Sequence, residues 1–168
     1  PWRPDQQPVK RTALGRFKHE GANIRMSRDG RAVAYSGDDE RFEYIYKFVS
    51  DKRMATGDSR WARAHNKTLL DSGDLYVATF IGDSPAAEID GTGTLPSDER
   101  FDGRGQWLPL VKDGRSRVPG MSVAEVLVFT RLAADKLGAT RMDRPEDIEA
   151  NPVTGKVVWR RPYPNPSG

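Results

Sequence analysis

The run Phe42-Glu43-Tyr44-Ile45-Tyr46-Lys47-Phe48-Val49 constrains the fold more than any other feature of the chain, because its aromatic residues recur with a period of two. Side chains on an extended backbone point alternately to opposite faces. Phe42, Tyr44, Tyr46 and Phe48 therefore share one face, and Glu43, Ile45, Lys47 and Val49 the other. An aromatic face of this kind suits a strand packed between stacked sheets. Upstream, Ala22 to Met26 and Arg31 to Tyr35 flank the turn Ser27-Arg28-Asp29-Gly30, and Asp-Gly between two extended runs signals a hairpin. Leu75 to Phe80 and the short run Gln106 to Leu110 read as further strands. With 16 Gly and 12 Pro in 168 residues, the composition fits a loop-rich, mainly β protein.

Two polar stretches separate these strands. Asp51 to Asn66 is a polar segment, and Gly82 to Gly105 is dense in Asp, Gly, Ser and Pro without periodicity, as an insertion would be. One helix is predicted, from Val123 to Leu137, with Ser122 and Glu125 spaced as a capping box and Gly138 placed to end it. Its stripe of Val123, Val126, Leu127, Ala134 and Leu137 reads as a packing face. Beyond it, Pro145 to Ala150 and Lys156 to Trp159 form a second hairpin around Asn151-Pro152-Val153-Thr154-Gly155. Both hairpins follow a basic-X-Glu tripeptide, Lys18-His19-Glu20 and Arg144-Pro145-Glu146. Their separation exceeds the roughly 40–50 residues of adjacent blade repeats, so insertions must intervene if they are related. Related hairpins would be propeller blades that bring Glu20 and Glu146 to one mouth of a central channel. Unrelated surface hairpins are the other reading.

Charge and motifs exclude several classes. The net charge is +3, with Lys and Arg interspersed among Asp and Glu, so no concentrated phosphate-neutralising face marks a nucleic-acid binder. Cysteine is absent, which removes disulfides and thiolate ligands. No run approaches the ~18 apolar residues of a membrane span, and Pro1 to Gln7 has no export-signal character. The two histidines, His19 and His65, form no HExxH motif, and no nucleophile elbow or phosphate-binding glycine loop occurs. His19-Glu20 remains a potential ligand or base pair. The acidic run Asp38-Asp39-Glu40-Arg41-Phe42-Glu43 lacks EF-hand spacing and reads alone as a solvated turn balanced by Arg41. In Asp143-Arg144-Pro145-Glu146-Asp147-Ile148-Glu149, adjacent carboxylates repel unless Arg144 or a cation neutralises them. A proline-stiffened strand entry with its acids in water is the alternative.

The strings Gly15-Arg16-Phe17-Lys18-His19-Glu20-Gly21-Ala22, Gly37 to Ser50, Arg144 to Glu149, Thr130 to Asp135, Leu137 to Thr140, Asn151-Pro152 and Thr154 to Val157 occur in one order. Together they resemble the PhoX-type alkaline phosphatases. The resemblance implies an all-β fold, a partial β-propeller of antiparallel blades with one additional helix near 123–137. It implies a calcium and iron (Fe³⁺) cluster with Glu20 as a ligand, Glu146 and Asp147 on calcium, and Arg144 holding the substrate phosphate. Hard cations suit these oxygen donors, and a guanidinium grips phosphate through paired hydrogen bonds. The Asp38–Glu43 loop matches the family without an assigned role.

Residues 1–168 are then expected to form one segment of a larger propeller, about two blades with insertions. Departures from the family are the missing iron-site cysteine, the long stretch from Asp83 to Arg104, and the end of resemblance after Val158, with 159–168 a disordered or divergent tail. The expected activity is hydrolysis of small-molecule phosphomonoesters by a periplasmic or secreted parent, with this segment inactive until the remaining blades complete the site. Exposed sheet edges predict poor solubility or association. A non-catalytic calcium-binding propeller module and a calcium-dependent lactonase-like hydrolase are the competing readings.

Overall fold

The computed structural model describes residues 7–82, 104–151, 153–155 and 157–160. After a 3₁₀ turn at Thr12–Leu14 come β1 (His19–Met26), β2 (Arg31–Asp38), β3 (Arg41–Glu43), β4 (Ile45–Arg53), α1 (Arg60–Asn66) and β5 (Gly73–Ile81). Then follow β6 (Arg104–Lys112), β7 (Arg115–Ser116), α2 (Val123–Val128), α3 (Thr130–Lys136), β8 (Met142–Asp143), β9 (Glu146–Ala150) and β10 (Val157–Arg160). Six strands form one antiparallel sheet in the order β1-β2-β4-β5-β6-β7, and β9–β10 and β3–β8 form two-stranded ribbons. The fold is mostly antiparallel sheet with few helices, the all-β class expected, and it is consistent with part of a propeller.

Alternation along β4 and β5 divides the sheet into two buried faces. Tyr46, Phe48, Leu75 and Val77 pack with Leu110 and with Val126, Ala133 and Ala134 of α2 and α3. Ile45 and Ala78 point the other way, against Ile148 of the β9–β10 ribbon. Helices thus cover one face and the second hairpin covers part of the other. The first hairpin forms as predicted, with Gly30 at φ 83 and its N–H donating to the Ser27 carbonyl at 3.0 Å.

The predicted strand Phe42 to Val49 is interrupted. The Asp38 N–H donates to the Tyr44 carbonyl at 3.0 Å, closing the sheet there. Residues 39–43 are drawn away so that β3 pairs with β8 (Arg41↔Asp143, Glu43↔Met142). Phe42 therefore lies outside the aromatic face, 69% exposed at φ 64. Helix 123–137 is also interrupted, at Phe129 (φ −109, ψ 47). Buried Thr130 accounts for the break: its hydroxyl donates to the Leu127 carbonyl at 3.1 Å and accepts the Arg16 N–H at 3.0 Å. The capping box of Ser122 and Glu125 is present, Val126 and Ala134 are buried, and Val123, Leu127 and Leu137 pack at the core margin. The break leaves Val128, Phe129 and Leu132 exposed.

The polar stretch 51–66 contains α1, which sequence periodicity did not reveal because Ala62 is its one buried residue. Ser59 caps it by accepting the Ala62 N–H at 3.0 Å. The expected insertion at 82–105 lies almost wholly outside the described residues, with β5 and β6 extending to Ile81 and from Arg104. Of the expected tail, β10 takes in residues to Arg160, and 161–168 lie outside the described residues. No helix among the described residues is long and apolar enough to cross a membrane.

The ribbon meets the sheet at Gly37, where a β-carbon would lie 1.8 Å from the Pro145 carbonyl oxygen. Gly37→Ala is expected to push the ribbon off the sheet and destabilise the chain by about 2–3 kcal/mol, the upper range for overpacking. A lowered urea midpoint with unchanged slope would report it; an unchanged midpoint would disprove this docking.

Candidate functional site

Four charged side chains converge where the ends of β1 and β2 meet the start of β9. Glu20 pairs in register with Gly37, and a bulge between Glu20 and Asn23, with Gly21 at φ 59, bends β1 beside the ribbon. Arg144 enters β9 at φ 46, and its N–H donates to the Glu40 carbonyl at 3.2 Å. Its guanidinium Nε donates to Asp39 Oδ1 at 2.7 Å, and a terminal nitrogen lies 3.3 Å from Glu146 Oε1. Arg144 is 51% exposed, so the rest of its fork of donors faces outward.

The carboxylates are not equivalent. The Arg144 hydrogen bond holds Asp39 below its usual range. Burial first, then Asp39 and Glu20, holds Glu146 above its usual range, and Arg144 opposes them. Like charges facing one another favour a proton or a cation between them. Asp147 is the second residue of β9, and its side chain lies outside the described residues. Thus Glu20, Arg144 and Glu146, proposed from sequence, come together, and Asp39 joins them.

Sequence left Asp39 without a role because it lies between two other acids with different partners. Asp38, with no exposed surface, takes Arg131 Nε at 2.7 Å and a terminal nitrogen at 2.6 Å, a bidentate pair. Glu40 pairs with Lys18. The solvated turn balanced by Arg41 is thus replaced by three separate pairings. His19 is structural: its ring nitrogens lie 3.1 Å from Ser36 Oγ and 3.1 Å from the Gly15 carbonyl, and it stacks on Phe17. A cleft of about 490 Å³ lies on the α3 side, lined by Arg131, Glu43 and Phe129 and not by the Arg144 cluster.

Among the described residues no group of three or more His, Cys, Asp or Glu side chains is arranged to hold a metal. The side chains of Glu20, Asp39 and Glu146 carry hard oxygen donors, the kind that calcium and ferric iron prefer.

The family model described as "Alkaline phosphatase PhoX" matches residues 1–160. This chain belongs to the PhoX family. Among solved structures it is similar to Pseudomonas fluorescens PhoX in complex with vanadate, a transition-state analogue, at 49% identity and a TM-score of 0.71. That match covers 92% of this chain and 25% of the Pseudomonas PhoX chain, so the present chain spans a quarter of its relative. No curated protein matches.

Arg131→Met would strand the buried Asp38 carboxylate, and a loss of about 3 kcal/mol is expected, the lower end for breaking a buried pair because Arg131 is itself partly exposed. Denaturant melts should recover part of that loss on adding Asp38→Asn. Glu43 makes a second prediction. Burial, with Asp38 and Asp135, holds its carboxyl above the ordinary 4.5 against Arg131 and Arg141, and one oxygen is buried without a partner. A raised folded-state value means the native chain binds this proton more tightly, so its contribution is present at low pH and lost as pH rises from 4.5 through the folded value. Relative to Glu43→Gln, the parent chain should therefore lose stability across that window; parallel pH profiles would refute it.

Proposed function

We propose that this chain is one segment of a larger propeller whose complete form hydrolyses phosphomonoesters. In this reading Glu20, Glu146 and Asp147 contribute ligands to a calcium and iron cluster, and Arg144 holds the substrate phosphoryl group. The carrying observation is Arg144, anchored by Asp39 and Glu146 with Glu20 close enough to raise Glu146. Family membership supplies the reaction class, and the remaining ligands would come from sequence beyond this quarter of the fold. A periplasmic or secreted location belongs to the same reading.

The bound cations would neutralise the phosphomonoester and activate an oxygen nucleophile. This chain's residues prepare the site for that chemistry. Asp39 and Glu146 occupy one edge of the Arg144 guanidinium, fixing its plane. The free donors then meet the phosphoryl oxygens as a preset fork, with little side-chain entropy left to lose. Asp39 is therefore assigned as a positioning residue for Arg144, and it also lies close enough to share a cation with Glu146.

The test uses the complete parent protein and a chromogenic phosphomonoester. Arg144→Ala is expected to lower kcat/KM about a hundredfold, as loss of a donor to developing phosphoryl charge does. Glu146→Gln should lower the calcium and iron bound per chain, measured by elemental analysis, whereas Arg144→Ala should leave metal content intact. Undiminished turnover in Arg144→Ala would reject the phosphate-holding role; iron-free protein that hydrolyses lactones but not phosphoesters would reject the reaction class.

A further inference from the structure

Lys18, just before β1, touches the three consecutive acids Asp38, Asp39 and Glu40. Its N–H donates to Asp38 Oδ1 at 3.2 Å, its carbonyl accepts the Asp39 N–H at 2.9 Å, and its ammonium pairs with the Glu40 carboxylate. Arg144 grips the same turn. The Glu40 carbonyl accepts the Arg144 N–H at 3.2 Å, and Asp39 Oδ1 accepts its Nε at 2.7 Å. Asp39 and Glu40 therefore each join Lys18 to Arg144. Asp39 does so through its main-chain N–H and its side chain, Glu40 through its side chain and its main-chain carbonyl.

A substitution at Lys18 reaches only one of these routes. Its main-chain bonds survive any change of side chain, which leaves the Asp39 route in place. The Glu40 route depends on the ammonium. There Oε1 of Glu40 accepts the Arg41 N–H at 3.2 Å and Oε2 takes Lys18, so both oxygens are held. The pair is open to water, with the Lys18 side chain 61% and that of Glu40 40% exposed, and pairs of this kind add little to stability. Arg144 has more at stake, because at φ 46 it relies on outside contacts such as the Glu40 carbonyl to stay where it is.

We infer that Lys18 is a positioning residue for Arg144, its ammonium fixing Glu40 and thereby the direction in which the guanidinium is presented. Lys18 itself touches neither substrate nor metal, and the assignment rests on Arg144 as the group that holds the phosphoryl moiety. Without the ammonium, Glu40 is free to turn and the guanidinium samples more directions. More ordering is then left to the binding of each substrate, which raises KM and leaves kcat.

Steady-state kinetics of the complete parent protein on a chromogenic phosphomonoester provide the test. Lys18→Met should raise KM about fivefold, the most that an exposed ion pair is worth, with kcat and the calcium and iron bound per chain unchanged. Lys18→Arg should restore the parent KM. Glu40→Ala breaks the same pair from its other end and should match Lys18→Met, and the double variant should be no worse than either. In an Arg144→Ala background Lys18→Met should have no further effect. An unchanged KM in both Lys18→Met and Glu40→Ala would overturn the assignment, as would a fall in kcat at constant KM, the mark of a merely structural loss. A KM rise that persists in the Arg144→Ala background would overturn it too, since Lys18 would then act on the substrate directly. Arg144→Ala alone separates the two readings: if it impairs turnover while Lys18→Met does not, only the role of Lys18 fails.

Discussion

The buried ion pair of Asp38 and Arg131 holds together the parts of the molecule that matter for its site. A carboxylate with no exposed surface must be matched, and Arg131 matches it through two hydrogen bonds. Asp38 also accepts the Lys18 N–H at 3.2 Å, and its own N–H closes the sheet against Tyr44. One side chain and its peptide thus tie β2, β4, α3 and the approach to β1 to a common point. Asp39 follows by one residue, and where Asp38 turns inward to α3, Asp39 meets Arg144. The helical side of the sheet and the charged cluster are coupled through that one peptide.

Charge in the cluster is unevenly shared. Arg144 satisfies Asp39 more fully than Glu146, so one carboxyl is held below its usual range and the other above it. Glu20 adds to the excess. Lys18 adds positive charge near Asp39, whereas at Glu146 it is Arg144 that opposes the effect of burial, Asp39 and Glu20. The chain spans a quarter of its Pseudomonas relative, which accords with a partial donor set.

Features encoded over a few residues were legible in the sequence. The Ser27-Arg28-Asp29-Gly30 turn, the Ser122–Glu125 capping box and the alternation of Tyr44, Tyr46 and Phe48 all appear, because each depends on nearby residues and backbone geometry. Distant partners decided what was misread. Phe42 follows the alternation in sequence but leaves the sheet because β8 captures β3. Helix 123–137 breaks because Thr130 serves Arg16, a contact across 114 positions. Asp38 and Asp39 look alike in sequence and separate only because Arg131 lies 93 positions from one and Arg144 105 from the other. The resemblance named Glu20, Arg144, Glu146 and Asp147 as a set, and the fold brings the first three together, the Asp147 side chain lying outside the described residues.

Of the described non-glycine residues with positive φ, Phe42 and Arg144 lie near the cluster's end of the sheet and Asp113 in the β6–β7 turn. Gly21 sits at φ 59 in the β1 bulge, Gly37 has no room for a β-carbon beneath Pro145, and Arg144 adopts φ 46 although it carries a full side chain. Phe42, exposed at φ 64, lies on the ribbon that leads to Arg144. Non-glycine residues in the left-handed region persist only where surrounding contacts over-determine them, at about 1–3 kcal/mol each. Here those contacts are the Glu40 carbonyl on the Arg144 N–H and the carboxylates on its guanidinium. Arg144 is thereby held with its guanidinium against Asp39 and Glu146 rather than swinging freely into water.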